Sequence, residues 1–579
     1  MSTIVMILLG SVSYGTVIDE ASDGVRVEYV NGKYQYTVNG KTTTMDDNIL
    51  VINGDININD PKKTSKGVRI ESTVTNGNLD IVVNGDIKIG AIDALAYLID
   101  NRGNVGNITI NGNFDLKENF INYAIMNGGS IKTIENNGVL KSAGKYLFDN
   151  GASIGSIINN NKMIMELNGE DDGELIYNGG VSSNNSKIET IENNGIMLMT
   201  LNKEQKTISR ANIIKNDSGK EIGSIKNNGK FITNIITEEP AWNIITTGIY
   251  SYGTTNKIEN NEIIEGIVET PRYSYYIGVE VYNGSKVKEL RNNGIIYSGT
   301  ISTNIEEDPI MYGVYLKGSV EDFVNKGTIY GKRRAVLGSG KNYGLLVNGV
   351  ESTAANMSEE GLEVKVNGEN DYTILKTGNN NSTVNIDGTN FTVKNASEKK
   401  DGDKIVGTNS IDINEKVSNT IYNGITDTVK VTGENASLDN VTVNAYTSAI
   451  VFGESGGNLT LNNSTVNGGI DRKYSDTGVL ESSSAIIKGG TGADTLTVMG
   501  DTKLNGKIDL SEGEDTINFG EKVQAEKSYA ANASTENTST MTIFDDISGV
   551  ENININEDVI LFETAKVTDA KNIEIGEGK

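Results

Sequence analysis

The chain of 579 residues carries 51 Lys and Arg against 77 Asp and Glu, a net charge of −26 with no compensating basic stripe, which argues against nucleic acid and anionic membranes as partners. Cysteine and histidine are both absent, so disulfides, thiolate and imidazole metal sites, histidine bases and Ser-His-Asp triads are excluded. With 66 Gly, 4 Pro and 74 Asn, the composition signals many tight turns, because Asn and Gly tolerate positive φ.

The apolar run Ile4 to Leu9, followed by the small residues Ser11, Ser13 and Gly15, reads as the end of a truncated signal peptide covering 1–15. The segment VEYVNGKYQYTVNGK from Val27 to Lys41 alternates around Asn31-Gly32, which predicts a β-hairpin. Such a hairpin would cap the first coil of a repeat structure and protect its open edge, with cap and first coil together occupying 16–60.

From 61 to 345 the dominant signal is internal repetition. VINGDINI at Val51, VVNGDIKI at Val82 and TINGNFDL at Thr109 give its early form. TIENNGVL, SIINNNKMI, TIENNGIM, SIKNNGKFI, KIENNEII, ELRNNGII and DFVNKGTI then follow. Their first turn asparagines are Asn136, Asn159, Asn193, Asn227, Asn260, Asn292 and Asn325, at intervals of 23, 34, 34, 33, 32 and 33 residues. A second element precedes each turn, as in YAIMNGGS at Tyr123 and YLFDNGAS at Tyr146, so each unit holds about three short strands. The apolar positions recur at period two and are β-branched, which rules out a helical repeat. Three strands per turn of chain predict an all-β fold, a right-handed parallel β-helix (β-solenoid) with an N-terminal hairpin cap and loop insertions. About twenty coils at the strand spacing would make a rod of roughly 90 to 100 Å. Stacked turn asparagines in αL are expected to bond their amides to the coils above and below.

Pro240, Pro271 and Pro309 fall in one phase of the repeat, inside the inserted lengths, so the insertions are expected on one side of the solenoid. They would present Trp242, Tyr273, Tyr275, Tyr276 and Tyr312 as the binding residues, since aromatics on loops held by a rigid scaffold are common binding equipment.

From 346 to 579 the coils shorten. Gly368 and Gly388, 20 residues apart, read as turns of successive minimal coils. AANMSEEG near Ala354, NASEKKDGDK near Asn395 and AANASTENTST at 530–540 read as short linkers. GGTGADTLT at Gly489 matches one nine-residue calcium repeat, but its relative GEDTINF puts Asp515 21 residues after Asp494, so an ordinary turn with the two carboxylates stacked is the expectation. No cofactor or metal is expected. The acidic clusters Glu170-Asp171-Asp172 and Glu306-Glu307-Asp308 read as solvated loops.

The reiterated IENNG turns, GADTLTVMGDTKLNGKIDLSEGEDTINF from Gly492 to Phe519, and VENININEDVILFETAKVTDAKNIEIGEGK from Val550 to Lys579 resemble the passenger domains of bacterial type V autotransporters, specifically the large Fusobacterium outer-membrane autotransporter adhesins. The resemblance implies export, display at the cell surface or release, and adhesion to a host-cell or bacterial glycan or protein receptor. It also implies a C-terminal translocator barrel, which no stretch of this sequence supplies. It contributes no catalytic residue. The alternative function is a β-helical polysaccharide hydrolase or lyase working through Asp and Glu carboxylates.

Overall fold

The computed structural model describes residues 15–576 except 22–23, 59–64, 90–95, 117–122, 168–172, 180–185, 202–209, 237–243, 270–273, 300–309, 349–360, 367–371, 378–380, 403, 475–479, 483 and 522–539. The expected signal segment therefore lies almost wholly outside the described residues, as do the linkers near Ala354 and at 530–540. The chain is all-β and forms a parallel β-solenoid. It divides into one compact unit of residues 1–205 with 214–223 and a second of 206–213 with 224–579.

In the first unit each coil has three faces. Strands such as Tyr123–Asn127 and Tyr146–Asn150 form face 1, Ser130–Asn136 and Ser153–Asn159 face 2, and Val139–Ser142 and Lys162–Leu167 face 3. Parallel pairing sets equivalent residues in file, so Ile108, Ile134, Ile157 and Ile191 stack on one another. All four are 0 % exposed, as are Phe114, Leu140, Met163 and Met197 in the file opposite. Burying each such side chain contributes about 1.5–3 kcal/mol. The alternating pattern of the repeats is this inward file.

The corners are held by amide ladders. At the end of face 2, Asn136 Nδ2 donates to Asn159 Oδ1 (2.8 Å) and Asn159 Nδ2 to Asn193 Oδ1 (2.7 Å). The remaining Asn136 hydrogen goes to the Lys162 carbonyl at 3.0 Å. A second ladder runs through Asn101, Asn127, Asn150, Asn178 and Asn216 at the end of face 1. A third, at the surface, joins Asn53, Asn84, Asn111, Asn137, Asn160 and Asn194, and here each amide donates back to the preceding coil. The expected ladder is present, but its members are not in αL; the non-glycine residues with positive φ are elsewhere. The corner glycines have a different reason too. A Cβ on Gly138 would lie 2.0 Å from the Gly112 carbonyl oxygen, so close stacking of corners, not backbone handedness, demands glycine there.

The cap forms as expected, with Asn31 (φ 50°) and Gly32 (φ 83°) turning Val25–Val30 into Lys33–Val38. A second Asn-Gly pair, Asn39 and Gly40, adds Lys41–Thr44. Val25–Val30 also pairs in parallel with Ser65–Ile70, so the hairpins extend face 1 and cover its edge.

The second unit overturns the expectation of a single file of coils. Its first stack has a ladder of its own through Asn227, Asn260, Asn292, Asn325 and Asn342. After Asn348 come antiparallel strands, first Tyr372–Thr377 against Leu345–Asn348, then a hairpin turned by Asp387 (φ 49°) and Gly388 (φ 86°). Gly388 is thus a hairpin turn and not a coil corner, and Gly368 lies outside the described residues. The segment around Asn395, expected as a linker, is built into strands that include the Glu398–Asp401 hairpin arm. Coils then resume as a second stack lying beside the first with its axis reversed. Its ladder, Asn395, Asn423, Asn444, Asn467 and Asn505, uses one amide hydrogen per residue to climb the stack. The other crosses over: Asn423 to Tyr343 O (3.0 Å), Asn444 to Lys326 O (2.7 Å), Asn467 to Asn293 O (2.9 Å) and Asn505 to Asn261 O (3.4 Å). Lys230–Asp545 (2.8 Å) and Arg291–Asp387 (2.9 Å) close the same seam, and Tyr297, Tyr330, Leu345 and Val347 pack on Ile425 and Ile470.

Replacing Asn159 by Ala strands the Asn136 donor and the Asn193 acceptor, each costing about 1–3 kcal/mol, so urea unfolding of the full chain should report a loss of about 2–4 kcal/mol. Asn160→Ala, on the hydrated outer ladder, should cost less than about 1 kcal/mol.

Glu262 takes the glycine position of its corner, is 2 % exposed, and faces the seam near Lys503, Lys230, Asp545 and Asp501. Burial, the largest cause, pushes its carboxyl up to about 8 from 4.5. The folded state therefore holds this proton more tightly than the unfolded one, and its contribution to stability, complete below pH 4.5, is lost as pH rises through 8. Glu262→Gln should melt like the parent at pH 5 and at a higher temperature at pH 9; parallel pH profiles would contradict this assignment.

Candidate functional site

Within each unit, several insertions fall at the same step of successive coils. In the first unit, 90–95, 117–122 and 168–172 each lie between a face-3 strand and the next face-1 strand. In the second unit, 237–243, 270–273 and 300–309 do the same. Pro240, Pro271 and Pro309 fall in three of these insertions, and they, Trp242 and Tyr273 lie outside the described residues, as do both acidic clusters.

The three other aromatics expected on loops sit instead on face-1 strands. Tyr275, in Ser274–Val281, is half-buried on the outward side. Strand alternation turns the next residue inward, and Tyr276 is 0 % exposed, with its ring against Gly266, where a Cβ would fall 1.9 Å from the ring. It cannot reach a receptor. Tyr312, in Ile310–Leu316, is 8 % exposed and packs 5.1 Å from Tyr315, so it belongs to the wall and not to a contact surface.

The outward side of face 1 carries an aromatic column in the first unit. Tyr97, Tyr123, Tyr146 and Tyr177 stack with centroids 5.7, 5.3 and 4.9 Å apart and planes within 18°. Their faces are used on one another, so edges and hydroxyls are what they present. Lys66, Lys145 and Lys215 lie over Tyr97, Tyr146 and Tyr177 at 5.1–5.5 Å. Among them, burial and then the nearby Glu174 push the Asp149 carboxyl up to about 6, while Glu174 is paired with Lys215 at 2.8 Å. Both carboxyls are enclosed, at 8 % and 0 % exposed, and so are poorly placed for a substrate arriving from solvent. Tyr123 and Tyr146 each open a strand directly after the insertion corner, and this repeated Tyr in YAIMNGGS and YLFDNGAS was the legible signal for the column.

On the second unit the outward aromatics include Tyr250, Tyr252, Tyr275, Tyr282 and Tyr315. Lys317 lies 4.3 Å over Tyr315 and 3.5 Å from Glu280, whose carboxyl is pushed up by burial. Farther along, Asp494 and Asp515 stack as expected for a turn. Asp515 Oδ1 accepts from the Asp494 N–H (2.7 Å), Asp494 Oδ2 from Gly490 N–H (2.8 Å) and Glu551 Oε2 from Asp515 N–H (2.8 Å). Burial pushes Asp494 up to about 6. Among the described residues no group of three or more acidic side chains is arranged to hold a metal ion.

Comparison with known protein families, with curated proteins and with solved structures finds no match. The fold and the arrangement of its surface define a loop-bearing parallel β-solenoid.

Proposed function

We propose that the chain is the passenger of an autotransporter adhesin, displayed at the cell surface or secreted, which binds a host-cell or bacterial glycan or protein receptor through the insertion corner and the aromatic side of face 1. The observation that carries this reading is that, within each unit, insertions recur directly before successive face-1 strands (90–95, 117–122 and 168–172 in the first, 237–243, 270–273 and 300–309 in the second), strands whose outward side bears tyrosines. A scaffold held rigid by buried ladders can vary such segments without disturbing its core. The chain also contains an internal precedent: Tyr297 and Tyr330, stacked at 4.6 Å on face 3, are where the second stack docks. A column of stacked tyrosines is thus already used as a docking surface in this fold. The acidic net charge favours a protein or glycan partner over nucleic acid.

Removing 234–312 outright would take away whole coils and their ladder asparagines, so the cleaner test replaces 237–243, 270–273 and 300–309 with Gly-Ser turns in the full chain. Circular dichroism and melting temperature should stay as in the parent, while binding to receptor-bearing cells falls at least tenfold. Unchanged cell binding would remove the insertion corner from the reading.

A further inference from the structure

The cap offers a different kind of surface. Between its hairpin, residues 45–48 and residues 76–78 of the first unit lies a cleft of about 390 Å³, a size found among small-molecule sites. Tyr29 and Tyr34 face each other across the hairpin as an edge-to-face pair, with centroids 4.9 Å apart and planes at 61°. Such a pair leaves each ring at least one face free of the other. Tyr34 is 6 % exposed and its hydroxyl donates to Asn76 Oδ1, which fixes the floor, while Tyr29 is only half-buried. Asn48 Nδ2 donates to the Asn78 carbonyl at 2.6 Å and ties the two rims together. The Asp46 carboxylate and the Asn78 side-chain amide are exposed at the rim and make no hydrogen bond among the described residues.

We propose that this cleft binds an uncharged saccharide. An aromatic face matches the C–H side of a pyranose ring, and a carboxylate beside a primary amide supplies both acceptors and donors for neighbouring hydroxyls. Acidic ligands are disfavoured because Asp46 and Asp47 outnumber the one cation in the lining, Lys33. Asp47 itself is structural, since its Oδ1 accepts from Thr16 and Ile49 and anchors the first strand. The site is separate from the insertion corner, so it stands or falls independently of the receptor reading above.

The test is saturation-transfer NMR on the full chain with galactose, glucose, mannose, N-acetylglucosamine, lactose and sialyllactose. Transfer to ring protons of at least one neutral sugar is expected, and lactose should exceed sialyllactose. Tyr29→Ala should lower the signal at least fivefold. Because that change could loosen the hairpin, Asn78→Ala and Asp46→Ala serve as exposed variants; each should cut the signal at an unchanged melting temperature. Absence of transfer from every neutral sugar, or transfer that survives Asn78→Ala and Asp46→Ala together, would overturn the proposal. The insertion-replaced chain should keep the full signal, and its loss there would also count against the cleft.

Discussion

A primary amide carries two donors and two acceptor lone pairs on one small plane, and this molecule is organised around what that allows at a corner. Unmatched polar groups at a buried corner are costly, and a stack of corners repeats the problem at every rung. Asparagine solves it once for all rungs: one hydrogen reaches the next amide, the other reaches a carbonyl, and the oxygen receives the rung before. The ladder starts at Asn136 because its neighbour below is Ile110. Backbone pairing sets rung spacing and register, since Ile52, Val83 and Ile110 are already in file below it, and the amides hold the same register in the coils that follow.

In the second stack the same group does a second task. Its spare hydrogens point sideways to the carbonyls of Tyr343, Lys326, Asn293 and Asn261, each the residue after a ladder asparagine in the first stack. Two solenoids are therefore joined by the element that builds each of them. The apolar part of the seam, with Tyr297 and Tyr330 against Ile425 and Ile470, adds area, while the amides set the alignment.

Much of this was legible in the sequence, and the exceptions are instructive. Asn-Asn-Gly corners, the three-strand coil, the hairpin at Asn31-Gly32 and the insertion corner were all visible, because each depends on side-chain identity at a fixed phase. The reversal after Asn348 was not, since the seam is accepted by backbone carbonyls, which any residue possesses. Tyr276 lies close to Pro271 in the sequence, which points to a loop, but strand alternation turns it inward; one residue's shift carries a side chain from the outside to the interior. The cap cleft leaves no mark in the sequence, because its walls, near 29–34, 45–48 and 76–78, come from three separated stretches with no shared pattern.

The reversed second stack has a consequence for how the chain reaches its structure. Its seam contacts join residues 80, 118, 174, 244 and 315 positions apart, in order of distance from the reversal. Closing a loop costs more entropy as it lengthens, but only logarithmically, so the outermost contact is harder to form directly than the innermost by about 1 kcal/mol. Once the innermost pair has met, each later one closes only a short additional span. Assembly by zippering outward from the reversal is then the path of least entropic resistance.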